Sequence, residues 1–191
     1  MSGGSDLTPS MTLVVCAAPL ATRAPDVATA FVLDGWSVRV AFTPASAPWV
    51  DTGALHAITG APPVSDYRSP DQPKRAPAPE LVVVAPLTFN SLNAWASGGS
   101  NTYALGVLNE ALGSGIATLA VPFINDRLWG HPILSKNIAF LESAGVSMID
   151  ASTGSSGCAP VRSGTGPDVS AAFDPAWLLK QTRSGRPRPG T

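Results

Sequence analysis

Apolar residues along the chain form five short runs, separated by segments in which apolar residues recur every three or four positions. Four runs occupy residues 12–18, 36–42, 116–121 and 146–150, and the fifth begins the stretch 81–91. Short runs of this kind are typical of buried strands, and the segments between them are typical of helices. The alternation predicts an α/β fold, a three-layer Rossmann-like (flavodoxin-like) parallel sheet of about five strands.

The periodicity also sets the expected domain organisation. Helices are predicted over residues 26–34, 49–58, 90–97, 100–112, 133–144 and 175–182. Two segments lack a pattern. Residues 61–79 are Pro-rich and read as a surface loop, and residues 151–168 read as either a mobile lid or irregular chain. We predict a single domain over residues 11–182, with a disordered N-terminus at 1–10 and a disordered basic tail at 183–191.

The stretch 81–91 is the expected centre of the sheet and of a binding site. It is apolar and rich in β-branched residues, and it ends in a proline and small polar groups. Open parallel sheets bind ligands at the carboxyl ends of their strands. Asn90 and Ser91 follow this strand and are expected to cap the next helix, which directs free backbone N–H groups toward a ligand.

Composition narrows the classes of partner. The 191 residues are 45% hydrophobic and 13% charged, with a formal net charge of −1. This balance gives no electrostatic field for nucleic acid or an anionic membrane surface. No apolar run approaches the roughly 20 residues of a membrane span, residues 1–10 lack a signal-peptide pattern, and two distant cysteines do not indicate a disulfide scaffold. A cytoplasmic protein is therefore expected.

A second segment with chemical potential follows the fourth strand. It reads Pro-Phe-Ile-Asn-Asp-Arg-Leu-Trp over residues 122–129, and His131-Pro132 comes just after it. Together with Pro86, Thr88 and Asn90, it resembles the homo-oligomeric flavin-containing cysteine decarboxylases. That family includes phosphopantothenoylcysteine decarboxylase and lantibiotic peptidyl-cysteine decarboxylases. Its motifs are Pro-Ala-Ser-Ala-Asn-Thr after one strand and Pro-x-Met-Asn-x-x-Met-Trp after the next.

The resemblance implies FMN bound at the sheet edge between protomers of a homotrimer, with a small-molecule or peptidyl-cysteine substrate and no metal. Short donors near a helix start suit the phosphate and ribityl oxygens of FMN. Ordinary helix capping is the alternative for each of them taken singly. The residues expected to contact FMN are Thr43, Ser46, Thr88, Phe89, Asn90, Ser91 and Phe123.

Two residues carry the catalytic expectation. By the same resemblance, the amide of Asn125 would hold a substrate carboxylate against the flavin. A neutral amide orients a carboxylate without pairing so strongly that loss of CO2 is resisted. Cys158 lies where the pantothenate branch uses a cysteine as a proton donor. A loop-structuring asparagine and an incidental loop cysteine are the alternatives. Trp129 and His131 are expected to be structural.

The sequence departs from the family pattern at two places. Counting back eight residues from Glu80 reaches Gln72, where the family has its catalytic histidine. The nearby His56 falls in a position that the family does not use for chemistry. The first loop, residues 16–22, has no glycine and contains Pro19, which removes one backbone donor. Phosphate binding at this loop must therefore be altered.

Three hypotheses remain open from the sequence. The chain is an FMN-binding flavoprotein acting on a thiol-bearing carboxylate, with altered machinery. Alternatively, it is a non-catalytic or partner subunit that supplies flavin-side residues but no base. The third reading is an α/β domain that has lost flavin and serves a structural or regulatory role. Flavin colour separates the third from the others, and loss of CO2 from a substrate separates the first from the second.

Overall fold

The computed structural model describes residues 8–71 and 78–185 and contains one parallel sheet. Its strands are β1 (Ser10–Val15), β2 (Ser37–Phe42), β3 (Leu81–Leu87), β4 (Ala117–Pro122) and β5 (Val146–Met148). They pair in the order β2-β1-β3-β4-β5. The predicted α/β fold with a five-stranded parallel sheet is confirmed, and the strand order is the flavodoxin-like one.

The helices cover both faces of the sheet. They are α1 (Ala24–Leu33), α2 (Thr52–Thr59), α3 (Phe89–Ala96), α4 (Tyr103–Gly113), α5 (Asp126–Trp129), α6 (Leu134–Ser143), α7 (Gly166–Ala172) and α8 (Ala176–Gly185). Buried residues of α1, α2 and α8 pack on one face, and those of α3, α4 and α6 pack on the other. No helix in the described ranges is both long and apolar enough to cross a bilayer.

Strand β3 is buried along its whole length because it contributes side chains to both cores. Leu81, Val83 and Ala85 face the core beneath α1 and α2. Val82 and Val84 face the core beneath α3 and α4. A strand covered on both faces has no solvent side, and this explains the continuous apolar run that marks it in the sequence.

The sequence pattern does not predict two of the helices. Helix α5 is only four residues long, and α7 is rich in small residues and begins with a Gly-Pro pair. A long-range contact holds α7 in place: Arg23 Nη1 donates hydrogen bonds to the carbonyls of Ser170 (2.8 Å) and Ala171 (2.9 Å). The unpatterned segment 151–168 therefore leads into a docked helix.

Helix starts also differ in detail from the prediction. Arg23 occupies the N-cap position of α1 without a side-chain capping bond, and Asp26 lies in the first turn, where its carboxylate pairs with the Arg23 guanidinium. Residues Pro44–Trp49 form a 3-10 helix, so α2 begins only at Thr52. Its N-cap is Asp51, which accepts a bond from Ala54 N at 2.9 Å.

The predicted termini and the 61–79 loop are only partly described. Strand β1 begins at Ser10 and α8 extends to Gly185, so ordered structure reaches into both predicted tails. Residues 1–7, 72–77 and 186–191 lie outside the described residues, and so does Gln72. Tyr67 ties the described part of the loop to the start of α4, because its hydroxyl lies within hydrogen-bond distance of the carbonyl oxygens of Ser100 (2.9 Å) and Thr102 (3.1 Å).

Substituting Arg23 by Gln is expected to loosen α7. The change removes a charged donor from two helix-end carbonyls, and losing such bonds typically costs about 1–3 kcal/mol. We expect a lower urea midpoint and faster amide exchange in residues 166–172. Arg183→Gln is the matched control, because Arg183 pairs with Asp34 at the surface, with its side chain 69% exposed, and such pairs contribute about 0–1 kcal/mol. Equal losses in both variants would contradict this assignment.

Candidate functional site

Two adjoining grooves open at the carboxyl edge of the sheet. The first groove has a volume of about 470 Å³, and the second groove about 420 Å³. Loops after β1, β3 and β4 wall the first groove, and the loops after β1, β2 and β3 wall the second. Ala17, Thr88 and Asn90 line both grooves, which makes them neighbouring parts of one site at the edge where parallel sheets bind ligands.

Thr88 is the N-cap of α3. Its Oγ1 accepts a hydrogen bond from Ser91 N at 3.4 Å and donates to Ser91 Oγ at 3.1 Å. The expectation that Asn90 and Ser91 would cap this helix is therefore corrected, because the cap lies two residues before Asn90 and three before Ser91. Asn90 is exposed and lines both grooves, whereas Ser91 is buried and lines the second groove.

Aromatic side chains form apolar walls in the first groove. Phe89, Phe123 and Trp49 all line it, and Trp49 is 41% exposed at its mouth. The ring of Phe89 meets the ring of His131 edge to face, with centroids 5.5 Å apart. His131 Nδ1 accepts a bond from Ile133 N at 3.2 Å, so this histidine braces the wall of the groove.

The two hydroxyl-bearing residues after β2 that were expected to contact FMN lie in different surroundings. Thr43 lines the second groove. Ser46 is fully buried and does not line either groove. Its Oγ lies within hydrogen-bond distance of two carbonyl oxygens, those of Thr43 (2.7 Å) and Val15 (3.1 Å). Ser46 therefore fastens the loop after β2 to β1, a role that spacing alone does not distinguish from ligand binding.

The first loop is built from small residues and a 3-10 helix. Ala17, Ala18 and Pro19 line the first groove, and the 3-10 helix runs over Pro19–Arg23. Beneath this loop, Cys16 is fully buried, and burial raises the pKa of its thiol. The absence of side chains larger than a proline ring leaves this wall open to a ligand.

Asn125 combines a structural contact with a place in the site. It is the N-cap of α5, and its Oδ1 accepts a hydrogen bond from Leu128 N at 2.9 Å. The side chain is also exposed in the first groove. Because Oδ1 is used for capping, the group that Asn125 offers to a ligand is the donor Nδ2.

Residues 161–163, which we call the strap, are fixed to residues 122–129, the motif loop. Val161 N donates to Ile124 O at 2.8 Å, and Asp126 N donates to Val161 O at 3.1 Å. The Asp126 carboxylate accepts bonds from the backbone N and hydroxyl of Ser163. The hydroxyl bond is the main cause that lowers the pKa of Asp126. Residues 151–168 were expected to form either a mobile lid or irregular chain. The strap is irregular chain, and it is anchored to the motif loop.

The strap supplies site residues that the sequence pattern did not indicate. Arg162 and Ser163 line the first groove, together with Gly164, Gly166 and Pro167 at the start of α7. No local periodicity marks them, because their position comes from pairing with a segment about 36 residues earlier in the chain, through the Asn125–Val161 bridge.

Cys158 does not reach the two grooves. It is partly buried against the core under α3, α4 and α6 and does not line either of them. Burial raises the pKa of its thiol to about 11, and the nearby charges of Glu142 and Asp150 add to the shift. The structure of this chain therefore separates Cys158 from Asn125, although the sequence had joined them in one catalytic expectation.

Comparison with known proteins gives a consistent picture. A family model described as Flavoprotein matches residues 3–171. The fold is similar to that of the FMN binding protein AtHal3, at 18% identity over 93% of this chain and 96% of that chain, with a TM-score of 0.71. A mutant PPC decarboxylase complexed with pantothenoylaminoethenethiol gives 16% identity, 93% and 97% coverage and a TM-score of 0.70.

The FMN-dependent cysteine decarboxylase SpaF is also similar, at 20% identity over 73% of this chain and 83% of that chain, with a TM-score of 0.62. A search of curated protein sequences gives no significant match. At these identities the structural likeness concerns the fold, and the family assignment comes from the family model.

The raised pKa of Cys158 predicts slow thiol chemistry. At pH 7.5 the thiol stays protonated, so iodoacetamide should label the native chain slowly, and the rate should rise about tenfold per pH unit up to a pKa of about 11. Mass spectrometry of pH-stepped labelling measures this. Cys158→Ser is the control. Iodoacetamide should label this folded variant hardly at all, because its one remaining cysteine, Cys16, is fully buried. Rapid labelling near neutral pH would contradict the protonated state.

Proposed function

Because the chain belongs to the Flavoprotein family, we propose that it binds FMN in the two grooves and takes a cysteine-derived carboxylate beside it. The observation that carries the proposal is the meeting of four strand-end loops around adjoining grooves, one with aromatic walls and one with hydroxyl and amide groups. The fold similarity to the FMN binding protein AtHal3 supports the choice of flavin.

The chemistry of the two grooves fits the two parts of FMN. Each groove has a volume within the usual range of small-ligand sites, about 300–1,000 Å³. Phe89 and Phe123 would contact the planar ring, and Thr43, Asn90 and Ser91 would hydrogen-bond the ribityl and phosphate oxygens. When bound, FMN supplies an electron acceptor that protein side chains lack.

The substrate class follows from the donor at Asn125. Its free Nδ2 can hydrogen-bond a carboxylate at the aromatic groove, while Oδ1 remains on α5. The solved structures with this fold include FMN-dependent cysteine decarboxylases and a PPC decarboxylase mutant bound to pantothenoylaminoethenethiol. We therefore propose a thiol-bearing acid, either a small molecule or the C-terminal cysteine of a peptide, acted on in the cytoplasm.

A partner-subunit role is the second candidate, and Gln72 favours it. The family resemblance places a histidine there, and a chain without an imidazole base is expected to bind the acid without efficient loss of CO2. In such an assembly, a homotrimer or a mixed oligomer, this chain would supply the flavin-side groups. Ile133 and Phe140 are exposed apolar residues one heptad apart near and on α6, and they would suit a subunit contact.

The flavin proposal predicts direct uptake of FMN. Purified chain should be yellow, or flavin-free chain should quench the fluorescence of added FMN with saturation at one FMN per site. Asn90→Ala should weaken FMN binding about two- to tenfold, because it removes a hydrogen-bonding side chain from both grooves. Ser135→Ala, on the exposed side of α6, is the matched control and should change nothing. A colourless chain that takes up no FMN contradicts the proposal.

The substrate proposal predicts binding with little turnover. We expect FMN-loaded chain to bind a cysteine-terminated peptide and to release little or no CO2, measured by mass loss of the peptide. Asn125→Asp should weaken peptide binding about tenfold or more by charge repulsion, while aspartate preserves the cap of α5 and the circular-dichroism spectrum. Ser135→Asp adds the same charge outside the grooves as a control.

Two results would count against the proposed binding of a thiol-bearing acid with little turnover. Rapid release of CO2 by the isolated chain would show that another group replaces the histidine, and the partner-subunit candidate would then be rejected. An Asn125→Asp variant with unchanged peptide affinity would remove Asn125 from the site.

A further inference from the structure

The first groove contains one charged side chain among the described residues that line it, Arg162. The other polar side chains of its wall are neutral: Thr88, Asn90, Asn125 and Ser163. Such a groove has no carboxylate of its own to neutralise the guanidinium. The charge is therefore available to a ligand that enters the groove.

The backbone on both sides of Arg162 is held in place. Val161 pairs with the motif loop, and Ser163 donates bonds from its N (3.1 Å) and its hydroxyl to the Asp126 carboxylate. The carbonyl of Arg162 itself accepts bonds from Thr165 N (3.1 Å) and Thr165 Oγ1 (2.9 Å). A residue between two anchored neighbours loses little backbone freedom on binding, which favours its use in a site.

The guanidinium is free to bind a ligand. Within residues 8–71 and 78–185, the Arg162 side chain forms no ion pair or hydrogen bond. Asp126 is the acidic residue of the motif loop next to Asn125, which pairs with Val161. Its carboxylate already accepts a hydrogen bond from Ser163 N. An arginine left unpaired beside an occupied carboxylate retains its full set of donors.

Arg162 and Asn125 both line the first groove and both carry hydrogen-bond donors. The Asn125–Val161 bridge places the strap and the motif loop side by side, with Arg162 one residue past the paired position. Asn125 offers Nδ2, since Oδ1 caps α5, and Arg162 offers N–H groups. Two donors and no charged acceptor select a ligand with anionic oxygens, and a carboxylate matches a guanidinium with two parallel hydrogen bonds.

We infer that Arg162 is a specificity-determining residue that binds the carboxylate of the acid taken into the first groove. The inference rests on the proposed function for the class of substrate. The phosphate of FMN is the other source of anionic oxygens, but the hydroxyl groups suited to it lie in the second groove, which Arg162 does not line. Because the guanidinium stabilises the carboxylate of the bound acid, it raises the affinity and opposes loss of CO2, in keeping with the low turnover expected of this chain.

The test compares two peptides that differ only in the carboxylate. One ends in cysteine and the other in 2-aminoethanethiol, and each is titrated by calorimetry into flavin-free and FMN-loaded chain. Wild-type chain should bind the acid about ten- to hundredfold more tightly, the range of one charge-assisted pair. Arg162→Gln should reduce this preference to about threefold or less, and Arg162→Lys, which keeps the charge and guards against misfolding, should retain part of it.

Arg127→Gln is the matched control. Arg127 lies on α5, is exposed, and does not line either groove. This variant removes the same charge from the motif loop, which pairs with the strap, and should keep the full preference for the acid. Affinities of FMN and riboflavin, which lacks the phosphate, should keep the same ratio in wild-type chain and in Arg162→Gln.

Each outcome decides the inference. It is overturned if Arg162→Gln keeps the full preference, if wild-type chain does not prefer the acid, or if Arg162→Gln loses the preference for FMN over riboflavin, which would assign the guanidinium to the phosphate. If wild-type chain takes up no FMN, the proposed function fails, and the peptide comparison on flavin-free chain still decides the role of Arg162.

Discussion

The pairing of β3 with β1 on one side and β4 on the other is the constraint on which the site depends. The pairing is parallel on both sides, so the loops after all three strands leave from the same edge. Burial of β3 on both faces fixes its register, since a shift by one residue would exchange the side chains of its two cores. The sheet therefore fixes where the grooves lie, and the loops and helix starts at its edge form their walls.

Helix capping and ligand binding share the same side chains at this edge. Thr88 caps α3 and Asn125 caps α5, and both line a groove. The cap of α5 uses Oδ1 of Asn125 and leaves Nδ2 for a ligand, whereas the single polar side-chain atom of Thr88, Oγ1, both caps α3 and donates to Ser91 Oγ. Capping and site roles, which are alternatives when a sequence is read alone, are thus compatible in the folded chain, and the cap decides which atom a ligand meets.

The strap gives the first groove a positive charge that the other residues lining this groove lack. The strand-end loops contribute only neutral side chains to the first groove. The positive charge of Arg162 comes from the strap, which pairs with the motif loop about 36 residues earlier in the chain. In the proposed function, the second groove would hold the ribityl and phosphate groups of FMN, and Arg162 would select the acid in the first groove.

Local periodicity and turn residues were enough to predict the strands, most helices and the polar segments after β3 and β4. The position of Asn90 and Asn125 at the strand edge follows from the same patterns. The burial of Ser46, the place of Cys158 outside the grooves and the place of Arg162 within one became visible only in the folded chain. Those outcomes depend on pairing between segments distant in the chain, which leaves no period in the local pattern.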